Sequence, residues 1–155
     1  MGISEEFSKG FEKVRFYLEL MGKKIVDIDE RNLVMLIEEV VNGDKIPIEI
    51  QIAKPGWVVI RSILMSGDEV QKLVGSTHIL YRELLRLSFR FPEFNFAMDD
   101  SYNIYIVHYI FLGALSFDVF EEEYHAIPAA YQRFKNAVYP EIKRIMEEEQ
   151  KIEFV

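Results

Sequence analysis

Residues 80–115 constrain the fold of this chain more than any other segment. Apolar residues first recur every three or four positions across residues 80–87, which is the spacing of one helix face. Pro92 then ends the helical pattern, because proline has no backbone N–H group to continue it. Two runs of alternating apolar residues follow, joined by the polar residues 99–101. A helix that leads into a hairpin predicts an α+β fold.

Alternating patterns before this segment predict a meander of three strands. Asn42 and Gly43 are the strongest short signal for a two-residue hairpin loop, because both residues tolerate positive φ. Residues 46–52 place isoleucine at every second position, which is typical of a strand with one buried face. Pro-Gly at residues 55–56 predicts the next turn, and residues 57–65 the third strand.

Helical patterns occupy both ends of the chain. Ser4 is a candidate N-cap, and the apolar spacing that follows it ends before Gly22. Near the other end, a near-heptad apolar pattern spans residues 120–145. Pro128 and Pro140 interrupt this pattern and are expected to kink or divide the last helix.

The order of these elements predicts one α+β domain over residues 1–155. An antiparallel sheet of about five strands is packed with three helical elements in the order α-β-β-β-α-β-β-α. A chain of 155 residues with half hydrophobic composition suits a single substantial core.

Two short motifs resemble the YbjN family. Residues 84–92 (LLRLSFRFP) match the passage from helix to strand in that family, and residues 96–100 (FAMDD) match its strand that ends in an acidic turn. The YbjN family is similar in architecture to the type III secretion chaperones. This chain departs from the pattern at Ser88, where the family often carries Asn, and in its longer final helix. The resemblance implies a protein-binding or regulatory module, and it offers no catalytic residue.

Composition excludes several classes of partner. The net charge is −8 and no Lys/Arg-rich run occurs, which argues against nucleic acid and anionic membrane surfaces. The chain has no cysteine, no signal-like apolar core and no apolar run of membrane-spanning length, so we expect a soluble, cytoplasmic protein. The 19 Glu outnumber the 9 Asn and Gln together, which leans toward a thermophilic source.

The polar residues predict no catalytic, cofactor or metal site. Glu122 and His125 have the E-x-x-H spacing that forms half of a di-iron motif, but the sequence contains no second half. Asp99 and Asp100 are expected to form the hairpin turn through bonds from side chain to backbone. His108 is expected to be a hydrogen-bonded core or interface residue. The sequence therefore predicts a protein that is not an enzyme.

Apolar residues left over after a monomeric core is filled predict a homodimer. Leu85 and Phe89 fall on the arginine side of the middle helix, where they would meet either another part of the chain or a second subunit. Tyr105, Val107 and Tyr109 lie on the second face of a strand that is apolar on both sides. In the competing interpretation, the long final helix covers these residues within one chain.

Three classes of function are compatible with these patterns. The favoured class is a non-enzymatic protein-binding or regulatory module, with a protein or peptide segment as partner. The alternative is a small-molecule or lipid-binding regulator with a pocket between the sheet and the C-terminal helix. An enzyme is the least favoured class.

Overall fold

The computed structural model describes residues 4–153. The α-helices in this range are α1 (Glu5–Leu20), α2 (Gly67–Gln71), α3 (Thr77–Arg90), α4 (Phe117–Arg133) and α5 (Tyr139–Glu153). The strands are β1 (Ile25–Asp29), β2 (Val34–Val41), β3 (Asp44–Ala53), β4 (Trp57–Met65), β5 (Phe96–Met98) and β6 (Ile104–Phe111). A short 3₁₀ turn, Leu112–Ala114, follows β6.

The strands form a six-stranded sheet in the order β1-β2-β3-β4-β6-β5. The described register is antiparallel between β1 and β2, β2 and β3, β3 and β4, and β5 and β6. The α+β class with an antiparallel sheet is therefore confirmed. The sheet has one strand more than the five expected, because the short segment β1 also pairs with β2.

The β2–β3 hairpin follows the predicted pattern. Val41 lies opposite Asp44, so the loop consists of Asn42 and Gly43, whose φ angles are 51° and 85°. Both angles lie in the left-handed region that a type I′ turn requires. The isoleucines of β3 are all buried, which confirms that this strand has one core face.

The chain divides into two compact units, which are described separately. The first comprises the chain up to Ser62 together with Val107–Pro128. In this unit α1 and α4 bury apolar side chains with one face of the sheet, since strand residues alternate between faces. The buried residues of this core include Phe11, Val14 and Leu18 of α1, Met35, Ile37, Ile48, Ile50 and Ile60 of the sheet, and Phe120, Tyr124 and Ile127 of α4.

The second unit comprises Ile63–Ile106 and the chain from Ala129 onward. Here α3 buries Leu80 and Leu84, as its apolar arc predicts. Arg82 of α3 donates to Glu149 of α5 at 2.7 Å, which ties the two helices together. Phe94 is fully buried and stacks on Phe96 of β5 with a centroid distance of 5.8 Å.

The last helical region is divided near only one of the two prolines that were expected to divide it. Pro128 lies inside α4, which continues to Arg133, so this proline does not divide the helix. The division is a single wide π turn, Phe134–Val138, in which the Tyr139 N–H donates to the Phe134 carbonyl oxygen. Pro140, the second residue of α5, lies just after this turn, so the division expected at Pro140 is found and the one expected at Pro128 is not.

Candidate functional site

The acidic and histidine side chains that the structure describes do not assemble into a metal centre. Within residues 4–153, no group of three or more His, Cys, Asp or Glu side chains is placed to hold a metal ion. Glu122 and His125 are both exposed on α4.

Asp99 forms the β5–β6 turn through its carboxylate, as predicted. One of its oxygens accepts from the backbone N–H groups of Ser101 and Asn103, at 2.9 and 3.0 Å. The other accepts from the Asn103 amide and the Tyr105 hydroxyl, both at 2.9 Å. The bond from the Asn103 side chain is the largest cause that lowers the pKa of Asp99 below its ordinary value. This carboxylate is therefore a structural group.

His108 is a hydrogen-bonded core residue, which confirms one of its two expected roles. Its side chain is almost fully buried, and Nδ1 lies 2.7 Å from Oε2 of Glu123 on α4. This contact fixes α4 to β6 within the first unit.

A second buried polar contact, between Tyr124 and Glu39, was not predicted from the sequence. The Tyr124 hydroxyl donates to Oε1 of Glu39 at 2.6 Å, and Lys23 Nζ lies 2.8 Å from the same oxygen. Burial acts to raise the pKa of Glu39, but the bonds from Lys23 and Tyr124 outweigh it and leave that pKa below its ordinary value. Burial raises the pKa of Tyr124, so its hydroxyl stays protonated as a donor. Lys23, Glu39 and Tyr124 are too far apart in sequence for a spacing pattern to predict this contact.

Three aromatic side chains are exposed together on the sheet face that points away from α1 and α4. Trp57 begins β4, and Tyr109 and Phe111 end β6; their exposed fractions are 39%, 51% and 57%. The Trp57 ring centroid lies 6.4 Å from that of Tyr109 and 5.7 Å from that of Phe111, in edge-to-face arrangements. We call these three residues the aromatic face. Of the three, the sequence indicated only Tyr109 as an interface residue.

Four charged side chains near the aromatic face form two ion pairs. Arg61 Nε donates to Glu49 Oε1 at 2.9 Å, across the β3–β4 register. Lys45 Nζ lies 3.8 Å from Glu38 Oε1 on the neighbouring strands β3 and β2. All four side chains lie on the same sheet face as Trp57, since they occupy matching positions in the register. This surface therefore offers apolar rings among neutral ion pairs.

A second apolar surface lies on α3 in the second unit. Leu85 and Phe89 are 70% and 93% exposed, on the side of the helix that the sequence predicted. Leu85 also lines an open groove of about 230 Å³ between α3 and β5, together with Tyr81, Leu84 and Met98. Apolar atoms form most of its wall.

The five predicted interface residues differ in their exposure to solvent. Leu85, Phe89 and Tyr109 are exposed, but Val107 is buried and offers no surface for a partner. Tyr105 is partly buried and donates its hydroxyl to Asp99. The alternation on β6 places these side chains on one face, but the covering of Val107 depends on tertiary packing that alternation does not report.

A cavity of about 240 Å³ lies beside the C-terminal helix α5. It is lined by Lys143 and Met146 of α5 and by residues 72–76 of the α2–α3 connection. The lining residues include no strand, so this cavity is not the pocket between sheet and C-terminal helix that the alternative hypothesis requires.

Comparison of the chain with family models, curated proteins and solved structures finds no match. The resemblance to the YbjN family therefore stays a prediction. Among the helices that the structure describes, none is both long enough and apolar enough to cross a membrane.

Proposed function

We propose that this chain is a non-enzymatic protein-binding module that forms a twofold dimer through the aromatic face. The observation that carries the proposal is the contact between three exposed rings, Trp57, Tyr109 and Phe111, on a sheet face that the helices of the same unit leave open. Aromatic residues are enriched at protein interfaces, where their large surface is buried at low cost in side-chain entropy.

The charges of this surface favour a second copy of the chain as the partner. In a twofold interface the same patch meets itself, so any unpaired charge would face a like charge. Arg61 is paired with Glu49, and Lys45 with Glu38, within one chain. Two such surfaces can therefore approach without bringing uncompensated charges of these four residues together.

The dimensions of the surface suit a specific interface. Strands β1 to β4 and β6 are adjacent in the sheet. At a spacing of about 4.8 Å between strands, the face is about 19 Å wide. Sheets commonly pack face to face, and a standard interface buries about 800 Å² on each partner. Val40, exposed on β2, extends the apolar part of the face beyond the three rings.

The resemblance to the YbjN family and the cysteine-free composition support the same proposal. Relatives with the chaperone-like architecture bind protein segments as dimers, and a chain without cysteine is compatible with the cytoplasm. We infer that the dimer works there.

The proposal is tested by sedimentation equilibrium at several micromolar concentrations. Phe111→Glu places a charge among the rings of the aromatic face and should convert the dimer into a monomer. Phe16→Glu is the matched control, because Phe16 on α1 is the same residue type with 55% exposure, compared with 57% for Phe111. This control should remain dimeric. Far-UV circular dichroism verifies that both variants are folded.

Two results would count against the aromatic face. A strictly monomeric wild-type chain would exclude dimerisation. A dimer that survives Phe111→Glu and Tyr109→Glu but is broken by Leu85→Glu would place the interface on α3 instead.

A further inference from the structure

We propose that the outer surface of α3 binds an acidic amphipathic helix of a different protein. This surface comprises Leu85, Phe89, the adjoining groove and the arginines Arg82, Arg86 and Arg90. It shares no residue with the aromatic face. The inference names a partner for a second surface and does not depend on dimerisation.

The side chains of α3 are ordered around the helix axis. Leu85 and Phe89 are four residues apart and form one exposed apolar stripe. At 100° per residue, Tyr81 and Leu84 lie on one side of this stripe, where both line the groove. The three arginines, also spaced by four, lie on its other side. A partner needs apolar anchors on one edge and charged groups on the other, which is the pattern of an amphipathic helix.

The charge that α3 presents to solvent is positive. Glu83 bonds both Arg82 and Arg86, but its side chain is only 16% exposed, compared with 57% for Arg86. Arg90 is exposed and forms no ion pair with any residue in the described range. Arg82 is also paired with Glu149 of α5, so the positive charge available to a partner lies at Arg86 and Arg90. In a chain of net charge −8 these two residues form a local cationic site, and carboxylates of a partner are its natural complement.

A second copy of this chain fits the surface poorly. In an antiparallel pair of α3 helices, Leu85 of each copy would meet Phe89 of the other. The same arrangement brings Arg86 close to Arg86 of the second copy. Like charges placed together in this way select against self-association. The aromatic face lacks this penalty, because Arg61 and Lys45 near it are paired with glutamates of the same chain.

The groove supplies the place for an anchor side chain. Binding energy in helix-in-groove complexes comes mainly from a few apolar side chains that enter a pocket. The groove of about 230 Å³ is lined by Leu85 of α3 and Met98 of β5. An apolar residue of the partner helix can enter there while its neighbour packs on Phe89.

The test is a display selection with a helical peptide library. All peptides of the library share one helical scaffold. Positions on the side that would face the arginines of α3 are either Glu or Lys. Two positions on the apolar side, the anchor positions, are Leu, Phe or Ala. The full-length wild-type protein should enrich Glu over Lys, and Leu or Phe over Ala, by at least about fivefold, since two or three exposed ion pairs contribute this much. The Arg86→Glu/Arg90→Glu variant should lose the preference for Glu and gain one for Lys.

Matched variants separate the apolar contribution from general effects. Phe89→Ser should abolish the enrichment of Leu and Phe at the anchor position that packs on Phe89, while the position that enters the groove keeps its enrichment. Val74→Ser is the control, because Val74 is also a highly exposed apolar residue but lies outside α3. The control should select the same peptides as the wild-type protein.

Several outcomes would overturn the proposal. One is a library that shows no enrichment, or an enrichment of Lys, on the wild-type protein. Another is a loss of the dimer in Phe89→Ser on sedimentation, which would make a second copy the occupant. A third is Phe89-dependent pelleting with phosphatidylserine vesicles, which would make a lipid surface the occupant.

Discussion

At the scale of single residues, the contact between Tyr124 and Glu39 shows how a buried polar group is accommodated in an apolar core. The Tyr124 ring has no solvent exposure, and its hydroxyl reaches a carboxylate that Lys23 also contacts. A buried hydroxyl without a hydrogen-bond partner would destabilise the fold, so the bond to Glu39 is what allows Tyr124 to occupy this core position. The sequence identified Tyr124 as an apolar position of the last helix but held no sign of this bond.

We predict that Tyr124→Phe lowers the free energy of unfolding by about 1.5 kcal/mol at pH 7, because it removes a hydrogen bond to a charged group while keeping the ring. Urea unfolding measures this difference. Tyr102→Phe is the control: Tyr102 is exposed, and its change should stay within about 0.5 kcal/mol.

The same variant has a predicted pH dependence. The folded-state pKa of Glu39 lies below its ordinary value of 4.5, so the stabilisation is present above pH 4.5 and is lost as the pH falls through the lower folded value. The gap between wild type and Tyr124→Phe should therefore narrow in acid. A gap that is constant from pH 7 down to pH 3 would contradict this assignment.

At the scale of elements, local patterns predicted the hairpins better than the helix ends. The Asn42-Gly43 loop and the alternation of β3 follow from φ preferences and strand periodicity, which are properties of neighbouring residues. The π turn at Phe134–Val138 lies just before Pro140, so its place was predicted, but its wide geometry has no such signal. It aligns Phe134 with Tyr139, whose rings stack at 5.5 Å, and so it reflects side-chain packing.

Pro128 illustrates the opposite case, in which a strong local signal is overridden. A proline inside a helix costs about 3 kcal/mol. Ile127 and Ala130 on either side of it are buried, and burying apolar side chains offsets a cost of this size. The sequence pattern shows the proline but not the tertiary contacts that offset its cost.

The start of α2 provides a prediction about packing between elements of the second unit. Gly67 N–H donates to Asn103 Oδ1 at 2.7 Å, which brings α2 against the β5–β6 turn. A Cβ at this position would collide with the Ser101 carbonyl oxygen. We predict that Gly67→Ala lowers the free energy of unfolding by about 3 kcal/mol, because the backbone must shift. Chemical denaturation measures this change in the free energy of unfolding.

Gln71, at the other end of α2, provides the control for Gly67→Ala. Gln71 is exposed at the end of the same helix, so Gln71→Ala should change the free energy of unfolding by less than about 0.5 kcal/mol. Equal effects of the two substitutions would mean that the close approach at Gly67 contributes nothing.

At the scale of the whole molecule, the candidate interface depends on strand order. Trp57 and Phe111 are far apart in sequence and meet because β6 lies next to β4, although β5 precedes β6 in the chain. The sequence predicted that β6 is apolar on both faces, but pairing between non-consecutive strands cannot be read from periodicity. This explains why Tyr109 was identified and Trp57 was not.

The net charge of the molecule bears on assembly as well. Each chain carries a formal charge of −8, so two chains repel one another at long range. Salt screens this repulsion, while the apolar contact between aromatic faces is not weakened by screening. We predict that the dimer dissociation constant falls as sodium chloride is raised from about 0.02 to 0.2 M, measured by sedimentation. A dissociation constant that rises with salt would indicate an interface held by ion pairs.

Dimerisation also couples stability to protein concentration. A chain that is folded as a dimer and unfolded as a monomer gains stability by mass action, about 1.4 kcal/mol per chain for a hundredfold rise in concentration. For a chain of 155 residues this corresponds to a rise of about 4 °C in the thermal midpoint. The wild-type protein and Phe16→Glu should both show this rise in scanning calorimetry, whereas Phe111→Glu should unfold at a midpoint independent of concentration. A wild-type midpoint that stays constant over the same range would leave the exposed rings of the aromatic face without a self-association role.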